Sequence, residues 1–321
     1  MKLLPFYFMV YNCLNNELKV WKGVSGMERD RTVELGEFYK EMRLARRVKQ
    51  KDVVRNHFSV SQLSKFEAGQ SMLTADKLLY AIEGINMSFS EFALALRDYQ
   101  PLETDRLIAQ ISQLTMERDL DGLKNLLKLH EESDRLYDRL NSFIIKSGIS
   151  IFEPGYEFSE EDRSLLTRYL FDIEQWTAYE LHLFGNAMSL LTDMDLLFLG
   201  KELVKKSKLY LSLTNFQIGL KRLYINLISE LIEREQGTHI EFFVDQLKSL
   251  LALTDVFEKI VLDFLICAKS YLLDKKVTRY EVELYIRKVR DFGCIPLSEY
   301  LTDRLVHMEL ILRKDEDTED K

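Results

Sequence analysis

Ser61, Gln62 and Lys65 are the residues whose types and spacing best suit recognition chemistry. In the segment SVSQLSKFEAG, residues 59–69, they fall on one side of a helical wheel, while Val60, Leu63 and Phe66 fall on the other and can face a core. A hydroxyl, a carboxamide and an ammonium on one outward face are the groups that hydrogen-bond base edges and phosphates in a major groove. Ser59 opens a capping box, with Gln62 three residues later able to reach back to its backbone N–H, and Gly69 can end the helix in a left-handed conformation. Just upstream, the window Lys40–Arg55 holds seven basic residues (40, 43, 46, 47, 49, 51 and 55) against Glu41 and Asp52. A solvated helix face is the plain reading of such a run. Next to the polar face at 61–65, the run is also a phosphate-seeking patch, with Arg46 and Gln50 placed to join Ser59, Ser61, Gln62 and Lys65 in contacting DNA.

A second set of polar residues interrupts apolar helices. Asn226 lies in KRLYINLISELIE among Leu223, Ile225, Leu227 and Ile228, with Arg222 one turn earlier. Asn186 ends LHLFGN, after Trp176, Tyr179 and Phe184, and Arg168 sits in LLTRYLFDIEQW. Each asparagine has two readings that the sequence leaves open. It can bond neighbouring helices inside a core, or it can offer one acceptor and two donors to the backbone of an extended peptide. The arginines can meet a peptide carboxylate in bidentate fashion.

Other chemistry is not legible. The histidines at 57, 130, 182, 239 and 307 are scattered, with no H-E-x-x-H, C-x-x-C or paired spacing, so no metal is expected. No G-x-S-x-G, P-loop or G-x-G-x-x-G is present. Cys267 sits in an apolar run, and Cys294 lies beside Gly293 and Pro296 at a helix end without a visible catalytic partner. Neither an enzyme nor a cofactor is expected.

The elements that must position these residues are helices. The chain has 321 residues, 46% hydrophobic and 30% charged, with only 13 glycines and 4 prolines, too few for the turns of a sheet protein. No apolar run is long enough to span a membrane. Three cysteines (Cys13, Cys267 and Cys294) build no disulfide framework and suit a reducing cytoplasm. Residues 1–26 differ in composition from the helical sequence after them and read as an extension, with Met27 as the functional start. An extension packed on the fold and a targeting segment are the alternatives. Residues 27–100 form the basic domain. There Leu35, Phe38, Met42 and Ala45 give an amphipathic helix, a short helix comes next over about 50–56, and Thr74 and Ser88 (the latter boxed with Glu91) start two more. Pro101 marks a linker. Residues 101–313 read as about ten paired helices, punctuated by capping boxes at Thr177/Glu180, Thr238/Glu241 and Thr278/Glu281 and a weaker one at Ser159/Asp162. Helix pairs stacked at a spacing of 40 residues, as between Thr238 and Thr278, make an α-solenoid with a concave groove suited to an extended peptide. Residues 314–321 are a charged, frayed tail. Residues 27–97 carry twelve Lys/Arg against ten Asp/Glu, while the chain as a whole has a net charge of −8, so only the first domain suits approach to DNA.

These residues carry a resemblance. Arg43, Gln50, Ser64, Phe66, Glu67 and Gly69 resemble the five-helix, lambda-repressor-like (XRE-type) helix-turn-helix domain. The resemblance implies that Arg43 pairs with Glu67 and that Gln50, at the start of the second helix, touches a phosphate. Ala68 stands where that family usually has an arginine, which removes one phosphate contact. With W-x2-YE-x2-LFGN (Trp176, Tyr179, Glu180, Leu183–Asn186) further along, residues 34–310 are similar to the Rgg/MutR regulators of the RRNPP group. That resemblance implies an all-α protein, with the helix-turn-helix domain followed by a solenoid of degenerate tetratricopeptide-like pairs. It implies a cytoplasmic homodimer that binds a double-stranded operator and a short hydrophobic signalling peptide. By helix position, Asn226 is the residue implied to hold the peptide backbone, with Arg222, Asn186 and Arg168 as further contacts. The alternative is a DNA-binding regulator whose solenoid docks a protein partner instead of a peptide.

Overall fold

The computed structural model describes residues 34–97, 103–131, 133–153, 156–206 and 210–319. The reading of residues 1–26 as an extension, Met27 as a start and Pro101 as a linker lies outside them. Sixteen α-helices and no strand occur among the described residues, which divide into two compact units with the boundary after Leu107.

The first unit holds α1 (Glu34–Ala45), α2 (Gln50–Val54), α3 (Val60–Glu67), α4 (Ala75–Gly84) and α5 (Phe89–Leu96). Its core is Tyr39, Val53, Val54, Leu63, Phe66, Ala81, Ile82, Ile85, Met87 and Phe92, sealed at the edge by Leu35, Phe38 and Met42. Two expectations from the wheel fail at helix ends. Val60 is exposed although it shares a side with Leu63 and Phe66, because it is the first residue of α3 and projects past the core; Ala45, the last residue of α1, is exposed likewise. Helices α1 and α3 approach so closely that a Cβ added at Gly36 would lie 1.8 Å from the Phe66 carbonyl oxygen. Tyr39 ties α1 to α4, its buried hydroxyl donating to the Ala81 carbonyl at 2.8 Å. Gly69 adopts φ +69, as its place after α3 implies.

The boundary between the units falls inside α6 (Glu103–Glu117), one continuous helix. The second unit continues with α7 (Leu120–Glu131), α8 (Leu136–Ser150), α9 (Glu160–Asp172), α10 (Ala178–Asn186), a 3-10 turn at Met188–Leu190, α11 (Asp193–Lys206), α12 (Thr214–Glu233), α13 (Gly237–Leu250), α14 (Val256–Leu272), α15 (Arg279–Asp291) and α16 (Ile295–Glu319). Sequential pairs α7/α8, α12/α13 and α15/α16 pack as hairpins, while α8, α10, α12 and α14 lie side by side and α16 meets α12 and α14. Helix α12 is buried from Leu223 to Ser229 without a polar side, as a helix surrounded by others must be.

The capping boxes at Thr177/Glu180 and Thr278/Glu281 form, each glutamate accepting from the cap N–H, at 2.8 and 2.7 Å. Ser159 caps α9 by accepting from the Asp162 N–H. The box expected at Thr238 does not form. Helix α13 starts earlier, at Gly237, and Glu241 instead pairs with Lys269 of α14 at 2.9 Å. Residues 314–319, read as a frayed tail, continue α16. The apolar series Leu181, Phe184, Met188, Leu191 is buried throughout, but α10 stops at Asn186, with Met188 in the turn after it and Leu191 just beyond that turn.

Candidate functional sites

In the first unit the site is built around Glu67, the last residue of α3. Burial would make a lone carboxylate costly, and two elements satisfy it. Arg43 of α1 donates from Nε to Oε1 at 2.6 Å and from Nη2 to Oε2 at 2.7 Å, and its Nη1 donates to the Val48 carbonyl at 2.6 Å. Its hydrogen bonds to the Glu67 carboxylate are the main reason that the Arg43 pKa stands above its ordinary value. Gln50, at the first position of α2, donates from Nε2 to Glu67 Oε2 at 2.8 Å. One carboxylate thus locks three helices in register. One amide N–H of Gln50 is used in this bond, and the second remains to donate elsewhere.

The α3 face presents Ser61, Gln62 and Lys65 exposed, with Ser59 exposed at its start. The box at that start is closed. Ser59 Oγ accepts from the Gln62 N–H at 3.2 Å, and Gln62 Oε1 accepts from the Ser59 N–H at 3.1 Å. The Gln62 carboxamide oxygen thus holds the helix start, while its Nε2 donors are left for a base or phosphate. Arg46 is exposed and turned back along its own helix, donating to the Met42 carbonyl at 3.2 Å.

In the second unit a cavity of about 210 Å³ opens where α8, α10, α12 and α16 converge. Asn186 and Asn226 both line it, and both are buried. Asn186 Nδ2 donates to the His182 carbonyl at 2.8 Å, and Asn226 Nδ2 donates to the Gly185 carbonyl at 3.3 Å. Each donor is thus fixed on a backbone oxygen, and each Oδ1 has no protein partner. The Asn226 nitrogen thus joins α12 to α10, as the reading of a core asparagine expects.

Arg222 and Arg168 do not line this cavity. Arg222 lies 3.6 Å from Glu258 of α14, and the adjacent Lys221 pairs with Asp255 at 2.5 Å. Arg168 is exposed on α9. The sequence reading missed Glu230, Glu233, Arg234, Arg304 and His307, which line the cavity with the asparagines. Arg304 donates from Nε and Nη2 to Ser229 Oγ at 3.2 and 2.9 Å and pairs with Glu233. A signal for this existed: Arg304 and His307 stand one turn apart within the apolar stripe of Leu301, Leu305 and Met308, where solvated residues would not be expected.

Residues 123–300 match the family model described as HTH-type transcriptional regulator Rgg, C-terminal domain. The chain belongs to the Rgg family. That is a family of transcriptional regulators, not of enzymes. Solved structures share the Rgg chain's fold over most of its length. The pheromone receptor Rgg2 of Streptococcus dysgalactiae is 24% identical with a TM-score of 0.70, covering 85% of this chain and 98% of that one. A transcriptional regulator from Listeria monocytogenes EGD-e is 20% identical with a TM-score of 0.71, covering 88% and 98%. PrgX, solved in complex with cCF10, is 16% identical with a TM-score of 0.62, covering 86% and 92%. These matches carry the all-helical fold expected from the sequence. Among the described residues of this Rgg protein, no helix is long and apolar enough to cross a membrane, and no group of three or more His, Cys, Asp or Glu is placed to hold a metal ion.

Proposed function

We propose that this Rgg-family chain is a sequence-specific DNA-binding regulator, acting as a cytoplasmic homodimer, and that a short hydrophobic signalling peptide seated in the second unit controls its binding to a double-stranded operator. The observation that carries the peptide reading is the pair of buried asparagines, Asn186 and Asn226, that line one cavity among apolar helices. An extended peptide has unpaired backbone N–H and C=O groups, which side-chain amides can satisfy. Solved relatives described as a pheromone receptor and as a complex of PrgX with cCF10 support the same reading.

The DNA reading rests on the exposed Ser61, Gln62 and Lys65 of α3 and on the register of α1, α2 and α3 around Glu67. Gln50 keeps one N–H for a phosphate, and Arg46 reaches one by leaving its bond to Met42. Regulation requires the peptide to bind one state of the dimer better than another, because equal affinity shifts nothing.

The test is operator selection from random duplexes with the full chain. Anisotropy titrations on the selected site then compare affinity with and without short hydrophobic peptides encoded beside the gene. The expected result is a two-fold-symmetric site, steep salt dependence, and at least one peptide that changes operator affinity. Failure to enrich any site sinks the DNA reading. Enrichment with no response to any peptide sinks the peptide reading.

A further inference from the structure

We infer that Val60 is a base-reading residue and that it selects a thymine by its 5-methyl group. The inference rests on reading α3 as the helix that enters the major groove, and it deepens that reading by naming one base of the operator. Val60 is 41% exposed, an aliphatic side chain whose neighbours Ser59, Ser61 and, one turn on, Ser64 are exposed and polar. Packing within the unit does not account for it. The residue before the Ser59 cap, Phe58, packs against the core and fixes the entry to α3, whereas Val60 stays outside that core. Valine is also a poorer helix former than alanine, so helix stability alone does not favour it at an exposed position.

The placement of Val60 suits contact with a base. It follows the cap directly, and the closed box between Ser59 and Gln62 fixes the turn that carries it. Helical side chains lean toward the N-terminus, so from the first position of α3 the two methyls of Val60 project past the helix end. A branched Cβ leaves one strongly preferred rotamer in a helix, and little side-chain freedom is lost when such a group is pressed against a partner. In the major groove a thymine presents its O4 acceptor and its 5-methyl group. Ser61, Gln62 and Lys65 answer hydrogen-bonding edges and phosphates. Among the exposed residues of α3 only Val60 is apolar, and an apolar surface is what the methyl requires.

Deoxyuridine lacks only that methyl and supplies the probe. In the operator selected with the full chain, each thymine would be replaced in turn by deoxyuridine at the symmetric positions of both half-sites. Anisotropy then gives the affinities of the wild type and of Val60→Ser. Serine and valine have similar helix propensities, so thermal melts of the two proteins should coincide. The expected result is a thymine in each half-site whose replacement weakens wild-type binding about fourfold per methyl, roughly fifteenfold for the pair. The same replacement should leave the affinity of Val60→Ser nearly unchanged. A merely structural role for Val60 would instead lower affinity for the thymine and deoxyuridine operators alike. An operator in which every thymine methyl matters equally to the two proteins, or to neither, overturns this inference and leaves the DNA reading standing. A chain that selects no operator overturns both.

Discussion

Arg43 and Glu67, 24 residues apart, meet as a two-toothed pair in which both carboxylate oxygens and two guanidinium nitrogens are engaged inside the first unit. The pair fixes the end of α3 to α1, and through Gln50 to α2, so the exposed face of α3 proposed to meet DNA is set by a buried charge instead of by its own residues. Arg43→Ala leaves the Glu67 carboxylate buried with only Gln50 as partner and should destabilise the unit by about 3–5 kcal/mol. Arg43→Lys should recover only part of this, because an ammonium cannot match two oxygens and the Val48 carbonyl in one plane. Chemical denaturation of the full chain checks both.

Gln62 has two duties that a pair of substitutions separates. Gln62→Glu keeps an acceptor for the Ser59 N–H, so α3 should stay capped and stability should match the wild type within about 0.5 kcal/mol. Its operator affinity should drop steeply, since the Nε2 donors are replaced by a charge that phosphates repel. Gln62→Ala should cost about 1 kcal/mol of stability through the lost cap. If Gln62→Glu binds the operator as well as the wild type, the Nε2 donors make no contact with DNA.

Gly36→Ala should be among the most damaging single-methyl changes in the protein. The added carbon would fall on the Phe66 carbonyl, a backbone atom that cannot rotate away, so α1 and α3 must separate. A loss of about 1–3 kcal/mol is expected, together with a fall in operator affinity, since the two helices carry Arg43 and the recognition face. Thermal melts of the variant, read beside anisotropy, check this.

His182 gives the second unit an acid limit. It is buried in α10, and burial pulls its pKa down to about 3. The unfolded chain takes up a proton near pH 6.5 and the folded chain does not, so between these values the unfolded state binds more protons and stability falls as pH falls. From pH 6.5 to 5 the loss from this group should be about 2 kcal/mol. The His182 imidazole should still be neutral by NMR at pH 5. An imidazolium signal from folded protein at that pH would remove His182 as the cause.

Separation along the chain decides how much of this protein is legible in its sequence. Most helix caps are written in short windows, and the Arg43–Glu67 pair follows from a motif spaced along one small unit. Asn226 stands out because an amide among Leu and Ile needs a reason. The other walls of its cavity come from α8, α10 and α16, and the bond between Arg304 and Ser229 joins residues 75 apart. No local pattern predicts which distant helix supplies the next side chain. The same gap misplaces Arg222: it stands one turn from Asn226, yet its guanidinium lies against Glu258 of α14. At Thr238 the box has the right letters, but Glu241 finds a better partner on a neighbouring helix.

The closed box at the start of α3 also limits how operator preference can be redesigned. Residue 62 holds the helix start together and reaches outward with the same carboxamide, so most replacements there weaken the reader while changing what it reads. Positions 61 and 65 make no such bond and can be exchanged freely. A library built to retarget this protein to a new operator should therefore randomise Ser61 and Lys65 first and keep Gln62, since a replacement there gives up about 1 kcal/mol of helix stability along with any change of contact.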